Sequence, residues 1–229
     1  KQMPQDHSDH DVLDGLLKSR HSCRAFEPQL VPKEVVEKIL LTAQRVPSWC
    51  NSQPWKVTVC QGKTLAALGT TLLEAAQKGM QSPDIDFPQR YSGEYKHRRS
   101  VCGWQLYEAV GVTKGDRAAS MQQMMQNYSF FGAPHVAIIT TPKELGAYGA
   151  VDCGAYVTAF TLAAQALGIA TIPQAAIAGL APVVRAQLDL PEDRDILCAI
   201  SFGYAALDHS ANKFRTHRAG LEEVVTWCE

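Results

Sequence analysis

Arg20-His21-Ser22-Cys23-Arg24-Ala25-Phe26, followed a helix later by Pro47-Ser48-Trp49-Cys50-Asn51-Ser52-Gln53-Pro54-Trp55, decides how this chain is read. The first stretch packs two guanidinium groups and a hydroxyl into its opening five residues. If it is helical, Arg20 and Arg24 share a face, and planar five-donor forks suit a phosphate or carboxylate better than a lysine point charge does. The competing reading is a solvated basic helix end, where arginines satisfy terminal carbonyls and the helix dipole. The second stretch breaks a helix at Pro47 and then offers hydroxyl and amide groups between prolines. Together the two read as a site rather than a scaffold.

The chain has 229 residues, enough for one α/β or α+β domain that buries roughly 70% of its unfolded surface. Its 22 basic and 23 acidic residues leave a net charge of −1, so the broad positive surface that nucleic acid requires is missing and no nucleic-acid partner is expected. No apolar run approaches the ~20 residues that cross a bilayer, and the polar, acidic start from Lys1 to Asp14 lacks a signal-peptide core. A cytoplasmic protein without membrane partners is expected. Seven scattered cysteines without a C-x-x-C pair argue against a disulfide framework and a structural zinc site. His7 and His10 have ligand-like spacing, but beside Asp6, Asp9 and Asp11 they read as a disordered end, and no metal is expected. G-x-G-x-x-G after a strand, the P-loop, H-E-x-x-H and G-x-S-x-G are all missing, which disfavours the standard dinucleotide fold, P-loop chemistry and a nucleophile elbow.

Apolar spacing predicts helices over Val12 to Ser19 and Pro32 to Arg45, with Pro32 in the first turn of the second. Trp55 to Cys60 alternates as a strand and Lys63 to Gly79 returns to helix. From Met80 to Asp116 no single period holds; Tyr91, Tyr95, Trp104 and Tyr107 sit among Arg, His, Gly and Pro, and this reads as a long loop forming a lid over a flat ligand. Arg117 to Tyr128 is predicted helical and His135 to Thr141 a strand. Ala150 to Leu167, apolar throughout and ending at Gly168, reads as a buried central helix. A strand at Ile169 to Ile172, a helix at Pro182 to Leu190 and a strand at Ile196 to Tyr204 complete a mixed sheet covered by helices. Asn212 to Arg218 then forms a second basic cluster, which reads either as a solvated terminus or as a second anion grip.

These motifs in their order resemble the FMN-dependent nitroreductase family from about Leu13 to Trp227. The likeness is carried by Arg20 to Phe26, Pro47 to Trp55, Phe130-Phe131-Gly132-Ala133-Pro134-His135, Asp152-Cys153-Gly154 through Gly168, Pro173-Gln174-Ala175-Ala176, and Asn212 with Arg215 and Arg218. It is nearest the nitrobenzoate-reductase-like branch, related to iodotyrosine deiodinases. The resemblance implies a single α+β domain over 1–229, with a lid at about 80–116 and a C-terminal arm at about 208–229. It also implies an intertwined homodimer with FMN in the subunit interface and NAD(P)H as electron donor.

Residue by residue, it implies that Arg20, His21, Ser22 and Arg24 contact the FMN phosphate, ribityl chain and N1/O2 edge, with Arg215 and Arg218 closing on the phosphate. Pro47, Ser48, Trp49, Asn51 and Gln53 would line the flavin from the partner subunit. Pro173, Gln174, Ala175 and Ala176 would run along the ring, with a backbone N–H near Ala175 or Ala176 directed at N5. Tyr91, Tyr95 and Trp104 would meet a small aromatic substrate. No side chain is expected to act as catalyst, because flavin N5 carries the hydride in a ping-pong cycle to nitroaromatic or quinone-like acceptors. Two alternatives stand beside this: reductive dehalogenation of halophenols, to which Glu94, Tyr95 and Lys96 in the lid would lend themselves, and a flavin-binding or flavin-handling protein. Trp49-Cys50 and Cys153 depart from commoner forms of the family, which bears on substrate rather than on cofactor.

Overall fold

The computed structural model describes residues 8–229. The chain runs α1 (Asp9–Ser19), α2 (Lys33–Ala43), β1 (Lys56–Gln61), α3 (Gly62–Gln77), α4 (Gly93–Ala109), α5 (Arg117–Met125), β2 (His135–Pro142), α6 (Gly146–Ala166), β3 (Ala170–Gln174), α7 (Ala175–Ala178), α8 (Ala181–Leu188), β4 (Arg194–Gly203) and α9 (Leu221–Val224). His7 lies outside the described residues. His10 stands in α1, whose first turn is closed by a reciprocal cap between Ser8 and Asp11, so helix replaces the disordered end expected there.

The strands lie in the order β1-β2-β4-β3, and each neighbouring pair is antiparallel. The parallel component of the expected mixed sheet comes down, among the described residues, to one bridge between Ser22 and Thr171. Two hydrophobic layers cover the sheet. Val136 and Ile138 face Leu68, Leu72, Ile177 and Val184 of α3, α7 and α8, whereas Ala137 and Ile139 face Ile39, Tyr156 and Phe160 of α2 and α6. Period-2 alternation alone would put Ile196 and Ala199 on opposite faces, yet both join the first layer. The pairing explains it: Ile139 meets Cys198 while Thr140 meets Ile196, so Leu197 is an extra residue that resets the alternation.

Three expectations need correction. Residues 80–116 are not a long loop, since α4 occupies 17 of them; none of its residues is buried, so no core-facing stripe imprinted a period on the sequence. The helix ending at Gly168 begins earlier, at Gly146, and buries one face only. Cys153, Tyr156 and Phe160 are inside, but Tyr148 and Val151 are 61% and 66% exposed. Pro32 caps α2 from outside its first turn, in extended conformation. Gly168 does occupy the left-handed position (φ +73) past the helix end, where a side chain would be strained.

Candidate functional site: an arginine-lined cavity

After α1 the backbone turns extended at Arg20, and Cys23 N–H donates to the Thr171 carbonyl at 3.0 Å. Arg20 and Arg24 therefore do share a face, but by the two-residue period of an extended chain and not by a helix turn. Cys23 and Ala25 point into the core while Arg20, Ser22 and Arg24 line a cavity of about 460 Å³. The C-terminal arm meets this segment through Asn212, which is 6% exposed. Its Oδ1 accepts from Arg24 N–H at 2.8 Å, and its Nδ2 donates to the carbonyls of Ala25 and Ala206 at 2.9 and 3.0 Å. That clamp brings Arg215 and Arg218 to the same cavity as Arg20, with Phe214 and Thr216 also in its wall.

Four guanidinium groups thus converge, and among the described residues none forms an ion pair. Arg215 and Arg218 are held by nearby groups: Arg215 Nη1 donates to the Asn212 and Phe214 carbonyls at 2.8 Å, and Arg218 Nη1 donates to the Thr216 hydroxyl Oγ1 at 2.9 Å and to the His217 carbonyl at 3.1 Å. Burial, and then the like charge of Arg218, holds the Arg20 guanidinium below its ordinary range; burial does the same to Arg24. The His21 pKa is lowered by burial first; the Ser19 carbonyl opposes this, and the charges of Arg215, Arg20 and Arg24 add smaller downward pushes. His21 Nε2 is buried without a hydrogen-bond partner among the described residues. Cations pressed together with unused donors form a receptor for an anion.

The rest of the expected site is not gathered here. Pro47, Ser48, Trp49, Asn51 and Gln53 lie outside the cavity, in a loop where Cys50, Asn51 and Gln53 all adopt positive φ (51, 54 and 48). Trp49 is 60% exposed, its ring 4.4 Å from that of Tyr148. Pro173, Gln174, Ala175 and Ala176 close β3 and open α7, one strand residue beyond the Thr171–Cys23 contact and Ile172. Gln174 is fixed from two sides, with Nε2 donating to the Asn127 carbonyl at 3.0 Å and Oε1 accepting from Ser201 Oγ. Tyr91, Tyr95 and Trp104 do not reach the cavity either. Trp104 packs on Tyr107 and helps line a separate surface depression with Glu108 and Lys114, and Tyr91 lies under the Arg99 guanidinium at 5.2 Å. Of residues 80–116, Cys102 lines the cavity. Glu94 is engaged by Arg98, which also binds Glu223 at 3.0 Å and so ties α4 to the arm.

Sequence reasoning missed Asn212 as the residue that joins the two basic clusters, Asn127 as the partner of Gln174, and Cys102 and Phe214 as cavity walls. Only Asn212 carried a signal, as a polar residue opening the second cluster.

Residues 17–204 match the model of the nitroreductase family. The chain is 37% identical to the nitroreductase NfnB of Mycolicibacterium smegmatis, over 93% of this chain and 91% of that protein. It is 31% identical to a 4-nitrobenzoate reductase of Nocardioides sp., over 95% and 90% of the two chains. Its fold superposes on the crystal structure of the FMN-dependent nitroreductase NfnB from Mycobacterium smegmatis in complex with NADPH with a TM-score of 0.93 at 34% identity, covering 97% of this chain and 100% of that one.

Proposed function

The chain belongs to the nitroreductase family, and on that basis we propose that it is an FMN-dependent NAD(P)H oxidoreductase that reduces nitroaromatic or quinone-like acceptors as a homodimer. The observation that carries the cofactor is the meeting of Arg20, Arg24, Arg215 and Arg218 around one cavity without a counter-charge among the described residues. A phosphate dianion fits this donor set: it offers oxygens for several charge-assisted bonds and relieves the mutual repulsion of the cations. Bound FMN supplies the hydride relay between NAD(P)H and the acceptor.

This chain's residues bind and orient. Arg20, Arg215 and Arg218 hold the phosphate, Ser22 and the His21 backbone meet the ribityl chain, and Arg24 faces the pyrimidine edge of the ring with a fixed positive charge. Pro173 to Ala176 back the ring; the N–H groups of Ala175 and Ala176 open α7 and so have no partner within that helix. Pro47, Ser48, Trp49, Asn51 and Gln53 complete the site from a second copy, which is why they stand apart from this copy's own cavity. The apolar α6 face around Tyr148 and Val151 supplies surface for that second copy. Tyr91, Tyr95 and Trp104 on and before α4 meet the aromatic acceptor once the second copy encloses the site.

Titrating apoprotein with FMN and with riboflavin tests the phosphate grip. FMN should bind at least about 100-fold more tightly, from two or more charge-assisted contacts that riboflavin cannot make. Equal affinities would sink the assignment.

A further inference from the structure

We propose that Asp152 and Arg194 are positioning residues that hold the loop 47–54 from its two ends in a conformation it would not keep alone. The inference rests on the reading that this loop walls the flavin of a second copy. Cys50, Asn51 and Gln53 all sit in the left-handed region that residues with side chains avoid, so the surrounding structure must impose it.

Asp152, on α6, accepts the Trp49 N–H with both carboxylate oxygens, each at 3.2 Å. Tyr148, one turn earlier on the same helix, packs against the Trp49 ring. At the other end, Arg194 Nη2 donates to the Pro54 carbonyl at 2.6 Å and to the Thr140 carbonyl at 2.9 Å, while its Nε donates to Thr140 Oγ1 at 2.8 Å. Arg194 is 7% exposed and, among the described residues, pairs with no carboxylate. A buried guanidinium is costly unless its donors are used, and here one bond reaches the Pro54 carbonyl at the loop's exit while two fasten the same group to Thr140 of β2.

Between the two anchors runs a relay. Trp55 Nε1 donates to Gln44 Oε1 at 2.8 Å, Gln44 Nε2 to Gln53 Oε1 at 3.1 Å, and Gln53 Nε2 to Asn51 Oδ1 at 3.1 Å. Gln53 N–H donates to Ser48 Oγ at 2.9 Å. Ser48 Oγ and Asn51 Oδ1 each accept one bond inside the loop, while the Ser48 hydroxyl hydrogen and the Asn51 amide NH₂ donate to nothing among the described residues. The anchored loop is built to offer donors to an electron-rich ring edge, which neither anchor touches.

The test compares Asp152→Ala, Asp152→Asn and Arg194→Lys with Asn51→Ala and Ser48→Ala, measuring thermal stability, FMN affinity, visible circular dichroism of bound flavin, kcat and KM. Alanine favours helix more than aspartate, so Asp152→Ala should leave the melting temperature unchanged or raised. FMN affinity and kcat should fall about tenfold, the flavin dichroism should change, and KM for the acceptor should move less. Asp152→Asn should recover FMN affinity to within about threefold, because one acceptor remains. Arg194→Lys should lower FMN affinity and kcat as Asp152→Ala does, but at a lower melting temperature because buried bonds to Pro54 and Thr140 are lost; should it fail to fold, the Asp152 pair decides alone. If Asn51→Ala loses FMN affinity while Asp152→Ala keeps it, the positioning role is wrong. If Asn51→Ala and Ser48→Ala both bind FMN like the parent, the loop is no flavin wall and the reading beneath the inference fails.

Discussion

Replacing Arg20 with Gln separates anion binding from folding, because the two readouts should move in opposite directions. Arg20 is about half buried, has no ion pair among the described residues, and feels both burial and the charge of Arg218. In the ligand-free protein it is a repulsive member of the cluster, so its removal should leave the melting temperature unchanged or slightly raised. With FMN the sign reverses. One charge-assisted bond contributes about 1.5–3 kcal/mol, and solvent screening at a half-exposed group reduces this to about 1–2 kcal/mol. That corresponds to a Kd raised about 5- to 30-fold. At fixed excess FMN the ligand-induced rise in melting temperature should shrink by roughly 2–8 °C for a chain of this size. Thermal melts with and without FMN, paired with calorimetric titration at two salt concentrations, measure both. A variant that melts several degrees lower without FMN yet keeps the full FMN-induced rise would show that Arg20 supports the fold, not the phosphate.

Asn212→Ala should strand the Arg24 N–H, while the Ala25 and Ala206 carbonyls keep the N–H groups of Ala206 and His209, costing about 2 kcal/mol in urea unfolding and loosening the segment that carries Arg215 and Arg218. His135 is 1% exposed, its Nε2 accepts from Val31 N–H at 2.9 Å, and burial lowers its pKa. Between its ordinary value near 6.5 and the lower folded value, the unfolded chain binds a proton that the native protein refuses, so stability should fall as pH drops below about 6.5. His135→Gln should flatten that slope in urea melts between pH 7.5 and 5, although His21, shifted the same way, should leave a residue of it. Burial pushes the Cys153 and Cys198 thiols up to about 11 and about 12, whereas Cys50 and Cys228 are exposed. A thiol reagent at neutral pH should modify Cys50 and Cys228 quickly and leave the fully buried Cys153 untouched until urea is added.

Elements with a buried face were legible from the residues. α2 and α3 carry the helical period of their packing, β1 reads from its alternation, β2 and β4 read from apolar runs buried along most of their length, and Gly168 marked its helix end. What stayed hidden lacked a core to face. α4 buries nothing, so its composition read as loop, and the outward half of α6 looked like core because an exposed apolar surface has the same composition as an interior. The grouping of Arg20 with Arg24 was visible, but its cause was not: helix and extended chain both place residues four apart on one side. Nothing local to Arg20 or Arg218 encodes their meeting, which depends on Asn212 reaching nearly the whole length of the chain to Arg24 and Ala25.

Anaerobic titration of the FMN-loaded protein with NADPH, followed by 4-nitrobenzoate, bears most directly on what this protein does. The flavin absorbance near 450 nm should bleach with one equivalent of NADPH per FMN and return when the nitroaromatic is added, with the nitro compound consumed in proportion. Flavin bands that NADPH and NADH both leave unbleached, or that bleach but do not return with any nitroaromatic or quinone, would contradict the oxidoreductase assignment and leave a protein that holds FMN without turning it over.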